Sequence, residues 1–299
     1  MNKIYQVNNL SEDYIINNYL RKLNFNKINT FNFENDASYI FLKNKKVVIT
    51  TDSISQDIDF FRGDSPKSIA SKITTINLSD LSAMGVMPNA YLLNLFLPNY
   101  INHNWLSVFT NELLKIQKKY NFYLLGGDLS KSNKLILSST FLGLSKTDNI
   151  LSQNSISLNN DIWVTGNLGD SLIGLQLLKK KISIKDIKMK EYFINKYYYP
   201  QPCMIGSKIS KYASAVTDIS DGFIGDLKKM LNRKYGAQLY LKNIPLSLNL
   251  KKILAKKKIK IDNILNCGDN YELIIISDKK NRNKILNLAK KNRVKISRI

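Results

Sequence analysis

Histidine, cysteine and acid are all scarce in this chain. Of its 299 residues, one is His, two are Cys and 23 are Asp or Glu, against 45 Lys or Arg. A single imidazole, His103, argues against a Ser-His-Asp or Cys-His mechanism. It sits in Asn102-His103-Asn104, which reads as a surface loop. Two thiols, Cys203 and Cys267, cannot build a disulfide framework and are expected to be inert, in a protein of the reducing cytoplasm. No apolar run approaches the roughly 20 residues of a membrane span, and the most apolar stretch, 90–97, predicts a buried strand. Residues 1–10 lack the apolar core of a signal peptide, so a soluble protein with no membrane partner is expected. There is no Gly-x-x-x-x-Gly-Lys phosphate loop.

What is abundant is lysine. The formal net charge of +22 suggests nucleic acid as a partner. The cations, however, are scattered among Asn and Ile, whereas nucleic-acid sites gather Arg and stacking aromatics in one place. The densest run, 251–260, is interrupted by Ile and Leu and reads as the solvated face of a helix. A compositional drift toward Lys, Asn and Ile explains the charge better than nucleic acid does, and it still favours anionic substrates.

Hydrophobic residues form 44% of the chain, enough for a sizeable core. Ile15, Ile16, Tyr19, Leu20 and Leu23 make a helical stripe that Ser11 can cap. Strands are expected at 38–42, 46–51, 90–97, 122–125 and 135–144, with helices from Pro66 to Gly85 and at 105–120. The polar stretch 145–160 marks a boundary between residues 1–147 and 148–299. Beyond it, strands are expected at 162–165, 213–217, 238–241 and 271–277, and helices at 170–180, 221–235 and 280–290. The fold class is α/β of the α+β type, in two halves.

With so few acids, their positions carry information. Asp52, Asp128 and the pair Asp218 and Asp221 each follow an apolar run and are expected just past the end of a strand, where α/β proteins build their sites. Singly, each is as compatible with a turn or a helix cap as with a ligand; the repetition favours the ligand. Asp80 shares a helical face with Ala70, Ile73, Asn77 and Met84, where a carboxylate needs either a metal or a lysine partner. Oxygen-only donors suit Mg²⁺ or Ca²⁺, and the Asp218–Gly222 segment lacks the ligands of an EF-hand. Gly166-x-x-Gly169 before a helix can receive a phosphate or serve as a plain turn.

These motifs together resemble the thiamine-monophosphate kinase family. The residues that carry the likeness are Asn77-Leu78-Ser79-Asp80-Leu81-Ser82-Ala83-Met84-Gly85 with Pro88, Thr50-Thr51-Asp52 and Gly126-Gly127-Asp128. Val164-Thr165-Gly166 with Gly169-Asp170, Tyr199-Pro200-Gln201-Pro202, Asp218-Ile219-Ser220-Asp221-Gly222 and Gly268-Asp269-Asn270-Tyr271-Glu272-Leu273 complete the ordered series. The resemblance implies a two-domain PurM-like architecture, with a mixed N-terminal sheet that dimerises with its twin and a C-terminal α/β domain. It implies ATP as co-substrate, several Mg²⁺ ions and thiamine monophosphate as the phosphoryl acceptor.

Carried over by motif, the metal ligands would be Asp36, Thr50, Thr51, Asp52, Asp80, Asp128, Asp218 and Asp221. Gly127, Asp128, Asn154 and Ser220 would contact ATP, and Asp59 and Asp269 the substrate. The chain departs from the family pattern at Glu34-Asn35-Asp36, where one acid of Gly-Asp-Asp remains. Asp59 stands in place of a His, Asn154 of an Arg and Asp269 of a Glu. The sequence stops at Ile299, before the segment that in the family normally supplies a substrate-stacking aromatic. Two other classes remain open: a related ATP-dependent enzyme such as aminoimidazole ribonucleotide synthetase, and a non-catalytic nucleotide-binding protein.

Overall fold

A computed structural model describes residues 6–7, 10–25, 46–145, 156–231, 234–255 and 259–299. The chain forms two compact units, one of Met1–Leu78 with Pro88–Lys146 and one of Ser79–Met87 with Thr147–Ile299. The excursion of Ser79–Met87 into the second unit is invisible to a boundary drawn from composition.

The described part of the first unit opens with a two-stranded ribbon, β1 (Gln6–Val7) and β2 (Leu10–Ser11). Helix α1 (Glu12–Ile15) continues through a π turn (Ile16–Leu20) and a 3₁₀ turn (Arg21–Asn24), and buries Ile15, Tyr19, Leu20 and Leu23. Then come β3 (Val47–Ser55), α2 (Pro66–Ala83), β4 (Met87–Leu97), α3 (His103–Tyr120), β5 (Tyr123–Lys131) and β6 (Ile136–Leu144). The sheet order is β3-β6-β4-β5, antiparallel between β3 and β6 and parallel between β4 and β5. This is the expected mixed sheet. Tyr91, Phe122 and Phe141 meet with ring centroids 4.9–5.4 Å apart in its core.

Helix α2 is unusual in composition. From Ser68 to Ala83 every residue except Ile76 and Asp80 is buried, although the segment holds six Ser and Thr, a Lys and an Asn among its buried positions. Buried polar groups need partners, and α2 finds most of them locally and across, with Asn77 Oδ1 left without one among the described residues. Thr74 Oγ1 donates back to the Ala70 carbonyl (2.8 Å), and Asn77 Nδ2 donates to Ser139 Oγ of β6 (2.9 Å). Lys72 Nζ donates to the Asp59 carbonyl (2.7 Å). Asn102 caps α3 by accepting from the Trp105 amide, so His103 opens a helix rather than sitting in a loop; Tyr19 Oη meets His103 Nδ1 at 2.6 Å.

The second unit comprises β7 (Asp161–Thr165), α4 (Asp170–Leu178), α5 (Ile187–Tyr198), α6 (Gly206–Ile209), β8 (Ala215–Asp218) and α7 (Phe223–Leu231), followed by α8 (Leu248–Ala255), α9 (Ile261–Leu265), β9 (Leu273–Ser277), α10 (Arg282–Lys291) and β10 (Ile296–Arg298). Its sheet, β10-β7-β9-β8, is antiparallel throughout. Side chains alternate between two cores, as a period of two requires. Val164, Ala215, Ile274 and Ile276 face the core that takes in α4, α5, α7, α8 and α9; Trp163, Val216, Leu273 and Ile275 face the other, with Ile209, Ile285 and Ala83. Both faces of β9 are therefore buried. The expected strand at 238–241 does not form: the segment is irregular and ends in a 3₁₀ turn (Leu241–Asn243), with Tyr240 and Leu241 half exposed. The predicted strand at 38–42 lies outside the described residues.

Between β4 and β5 the register slips by one residue, so that Tyr91 pairs with Leu124 and Leu92 with Gly126. Past this bulge the backbones crowd, and a Cβ on Gly127 would lie 1.8 Å from the Leu93 carbonyl oxygen. On Gly126 it would meet only Leu92 Cδ2, at 3.8 Å. We expect Gly127→Ala to lower stability by about 1–3 kcal/mol in urea denaturation, with Gly126→Ala much nearer to wild type. Equal losses in the two variants would contradict this geometry.

Candidate functional site

In the first unit the carried-over residues lie on two strands. Thr50 and Asp52 share a face of β3 with buried Val48 and Ile54, while Thr51 points to the other face and its hydroxyl meets Thr140 Oγ1 at 3.0 Å. Asp52 pairs across with Ser139, the acceptor for Asn77. Asp128 lies on β5, exposed, and accepts from Ser130 Oγ at 2.9 Å. Both aspartates lie inside nine-residue strands rather than past their ends. Past the aspartates the strands continue through Ser53-Ile54-Ser55 and Leu129-Ser130-Lys131, where polar residues interrupt the apolar run but the backbone still holds the ladder. Asp52 and Asp128 occupy the two edge strands of the described sheet, and those strands are three strand spacings, roughly 14 Å, apart.

Asp59, the expected substrate contact, accepts from the Ser55 amide at 2.8 Å and so closes the turn after β3. Asp36 and Asn154 lie outside the described residues.

The second unit draws its candidates closer together. Asp218 ends β8, is buried, and accepts from Ser79 Oγ at 2.8 Å. That bond sets Asp218 against the turn of α2 that carries Asp80. Asp80 itself is half-buried, one of only two positions between Ser68 and Ala83 that are not buried. Of the expected inward stripe, Ala70, Ile73 and Asn77 are buried, whereas Asp80 is half-buried and Met84 is 36% exposed.

Three residues beyond Asp218, Asp221 is mostly exposed and pairs with Lys229. An exposed pair of this kind contributes little, about 0–1 kcal/mol, so the carboxylate can readily exchange its partner. Asp226, which sequence reading passed over, accepts from the amides of Asp221 (3.1 Å) and Gly222 (3.0 Å) and fixes the entry to α7.

Ser220 and Asp269 are joined through the backbone. The Asp269 amide donates to the Ser220 carbonyl (2.9 Å), the Tyr271 amide to Ile219 (2.9 Å) and the Ile219 amide to Glu272 (2.8 Å). Loss of water, opposed by the Thr165 hydrogen bond and by Lys196 and Lys295, pushes the Glu272 carboxyl from 4.5 up to about 7. Asp170, opening α4, is also raised by burial; Tyr192 Oη (2.6 Å) and Ser247 Oγ (2.7 Å) donate to it. A phosphate at this helix start would meet a carboxylate, which leaves Gly166-x-x-Gly169 as a structural turn. Burial lifts both thiols, Cys203 and Cys267, to about 11, so neither is a nucleophile near neutral pH.

Among the described residues no group of three or more His, Cys, Asp or Glu side chains converges to hold a metal, and no helix is long and apolar enough to cross a membrane. Asp218, held by Ser79, and Asp80, the next residue along α2, are carboxylates, which suit Mg²⁺. That ion keeps several waters and takes only one or two protein carboxylates beside substrate phosphates, so a pair of acids fits its needs.

Residues 34–145 match the N-terminal domain of the AIR synthase related proteins, and residues 159–299 match their C-terminal domain. The thiamine-monophosphate kinase of Buchnera aphidicola subsp. Acyrthosiphon pisum is 35% identical over 294 residues, 94% of this chain and 87% of that protein. The chain belongs to the thiamine-monophosphate kinase family. Among solved members, the kinase from Stenotrophomonas maltophilia K279a superposes with a TM-score of 0.82 at 27% identity, covering 89% of this chain and 85% of its own. AaThiL complexed with AMPPCP and TMP gives 0.77 at 26% identity, with 88% and 83% covered. The PurM-like, two-domain expectation is met by this family, and membership places the chain among enzymes.

Glu272 makes the folded state hold a proton that the unfolded chain has already released. Between about pH 4.5 and pH 7 the native form therefore binds more protons, and its stability falls as pH rises through that window. Glu272→Gln should flatten this part of the pH–stability profile and raise the melting temperature above pH 7 relative to wild type. Parallel profiles for the two proteins would refute the assignment.

Proposed function

We propose that this chain transfers the γ-phosphoryl group of ATP to the phosphate of thiamine monophosphate, giving thiamine diphosphate and ADP. Family membership along 94% of the chain supports this most strongly. The Ser79–Asp218 hydrogen bond supports it in a second way, since Ser79 is the chain neighbour of Asp80, another candidate acid.

The attacking group is a phosphate oxygen, largely dianionic near pH 7 because its second pKa is about 6. No side chain has to remove a proton, so a chain whose one imidazole opens α3 against Tyr19 loses nothing. What the protein must supply is alignment of two anions for in-line transfer. Asp80, Asp218 and Asp221, with Thr50, Thr51, Asp52 and Asp128 and the family position Asp36, would hold Mg²⁺. When bound, Mg²⁺ offsets the repulsion between the two phosphates. Ser220, Gly127, Asp128 and Asn154 are assigned to ATP, and Asp269 and Asp59 to thiamine monophosphate. Asp59 would first have to release the Ser55 amide. The surplus of lysine assists by drawing anionic ligands.

A homodimer belongs to the same proposal. The sheet of the first unit leaves Ile49 63% and Leu92 39% exposed on strands whose other faces carry the buried Val48 and Ile54 and the buried Tyr91, Leu93 and Leu95, an apolar surface suited to a second copy. The cytoplasm, where ATP is abundant, is the proposed location.

Purified protein with ATP, Mg²⁺ and thiamine monophosphate should form thiamine diphosphate and ADP in equal amounts. A folded, ATP-binding protein that gives no product with this acceptor would sink the proposal and favour the aminoimidazole ribonucleotide synthetase-like alternative or a binding protein. Asp52→Asn and Asp128→Asn should each lower kcat by at least about 10²-fold with unchanged circular dichroism. Near-normal turnover in both would remove them from the metal site.

A further inference from the structure

The loop Gly268–Tyr271 is held in a costly conformation. Asp269 (φ 58°) and Tyr271 (φ 52°) both lie in the left-handed region, which non-glycine residues enter at a cost of order 1 kcal/mol each and keep only where their surroundings over-determine it. Between and beside them stand two side chains that no ligand assignment uses, Asn270 and Glu272.

Each of these anchors one end of the turn Gly166–Gly169. Asn270 Oδ1 accepts from the Gly169 amide at 2.8 Å, while its Nδ2 donates to the Cys267 carbonyl at 2.8 Å. Glu272 Oε2 accepts from Thr165 Oγ1 at 2.6 Å, and the Asn167 amide also bonds this carboxylate. The same Thr165 hydroxyl accepts from the Leu273 amide at 2.8 Å, which closes a ring of bonds between β7 and β9. The carboxylate fits because residue 166 is glycine at φ 57°: a Cβ there would lie 1.6 Å from Glu272 Oε1.

We infer that Asn270 and Glu272 are positioning residues, which clamp the loop onto the Gly166–Gly169 turn and so fix where Asp269 and, through it, Ser220 are presented to ligands. The loop passes the constraint on directly. The Asp269 amide is bonded to the Ser220 carbonyl, Tyr271 Oη donates to Asp269 Oδ1 at 2.8 Å, and Gly268 is so close to Ser220 that a Cβ would come within 2.4 Å of its carbonyl oxygen. Opening either end of the clamp lets the two left-handed residues relax and carries Asp269 away from its place. The ligand roles of Asp269 and Ser220 rest on the proposed kinase reaction; the clamp itself does not.

The test uses Asn270→Ala, Glu272→Ala and Glu272→Gln in the full chain. Both alanine variants should raise KM for thiamine monophosphate about tenfold, the effect of one hydrogen bond to a buried group. KM for ATP should move less, because Ser220 is one bond further from the clamp, and kcat should change least. Glu272→Gln keeps an acceptor for Thr165 and should restore KM. A purely structural role would instead reduce the active fraction and leave KM where it was.

Amide hydrogen exchange provides a readout that needs no activity: the Gly169 amide in Asn270→Ala, and the Asp269 amide in both alanine variants, should exchange faster than in wild type. Asn270→Ala removes only one anchor and leaves the Glu272 ring in place, so it keeps the test alive if Glu272→Ala does not fold. Unaltered KM values, or unaltered exchange at Asp269, would overturn the clamp. An inactive wild-type protein whose variants still show the faster exchange would overturn the kinase assignment and leave the clamp standing.

Discussion

Helix α2 is buried on nearly every side while being built from serine, threonine and asparagine, and most of the candidate chemistry follows from how that conflict is resolved. A hydroxyl or amide withdrawn from water without a partner costs about 1–3 kcal/mol, so each polar residue of the helix dictates a neighbour. Asn77 dictates Ser139, the residue paired with Asp52. Ser79 dictates Asp218. Ser82 donates to the Cys203 carbonyl at 2.6 Å and accepts from the Gly206 amide at 3.2 Å. An apolar helix would pack as tightly, but it would leave those acids without a defined position.

Much of the architecture could be read from the chain because hydrophobic period and glycine placement are local signals. Strands 90–97 and 135–144, the helix opening at Pro66 and the strand–helix pair around Asp218 all have them. The helix Ile187–Tyr198 and the strand Ile296–Arg298 did not stand out, since lysine and tyrosine blur the first and the second is only three residues long. The positions of Asp52 and Asp128 inside strands were hidden for a related reason. Ser53, Ser55, Ser130 and Lys131 continue the ladders by backbone bonds without extending a continuous apolar run.

The candidate acids themselves were legible, and their supports were not. Asp218 is visible as an acid after an apolar run, but its partner Ser79 is 139 residues away. Glu272 and Asn270 read as ordinary members of a motif until the turn at Gly166 is seen to sit against them. Asp59 shows the converse, an acid that drew attention by position and is already bonded to the Ser55 amide. Long-range polar pairing leaves no periodic trace in a sequence, which is why ligand candidates emerge from it more readily than the groups that orient them.

The membership of Ser79–Met87 in the second unit bears on how this polypeptide can be built or divided. Ala83 fills a place in one of the two cores beside β9, and Ser79 and Ser82 satisfy groups of that unit. A fragment beginning after the polar stretch at 145–160 would carry the sheet but leave a hole where Ala83 belongs and Asp218 without its hydroxyl. On the ribosome, residues 79–87 emerge long before the groups they serve: the hydroxyls of Ser79 and Ser82 must wait for Cys203, Gly206 and Asp218, and Ala83 for β9, near residue 275, before its core closes. The two halves are thus separable in outline and interdependent in assembly, and any exchange of halves between relatives has to move this nine-residue piece along with the C-terminal one.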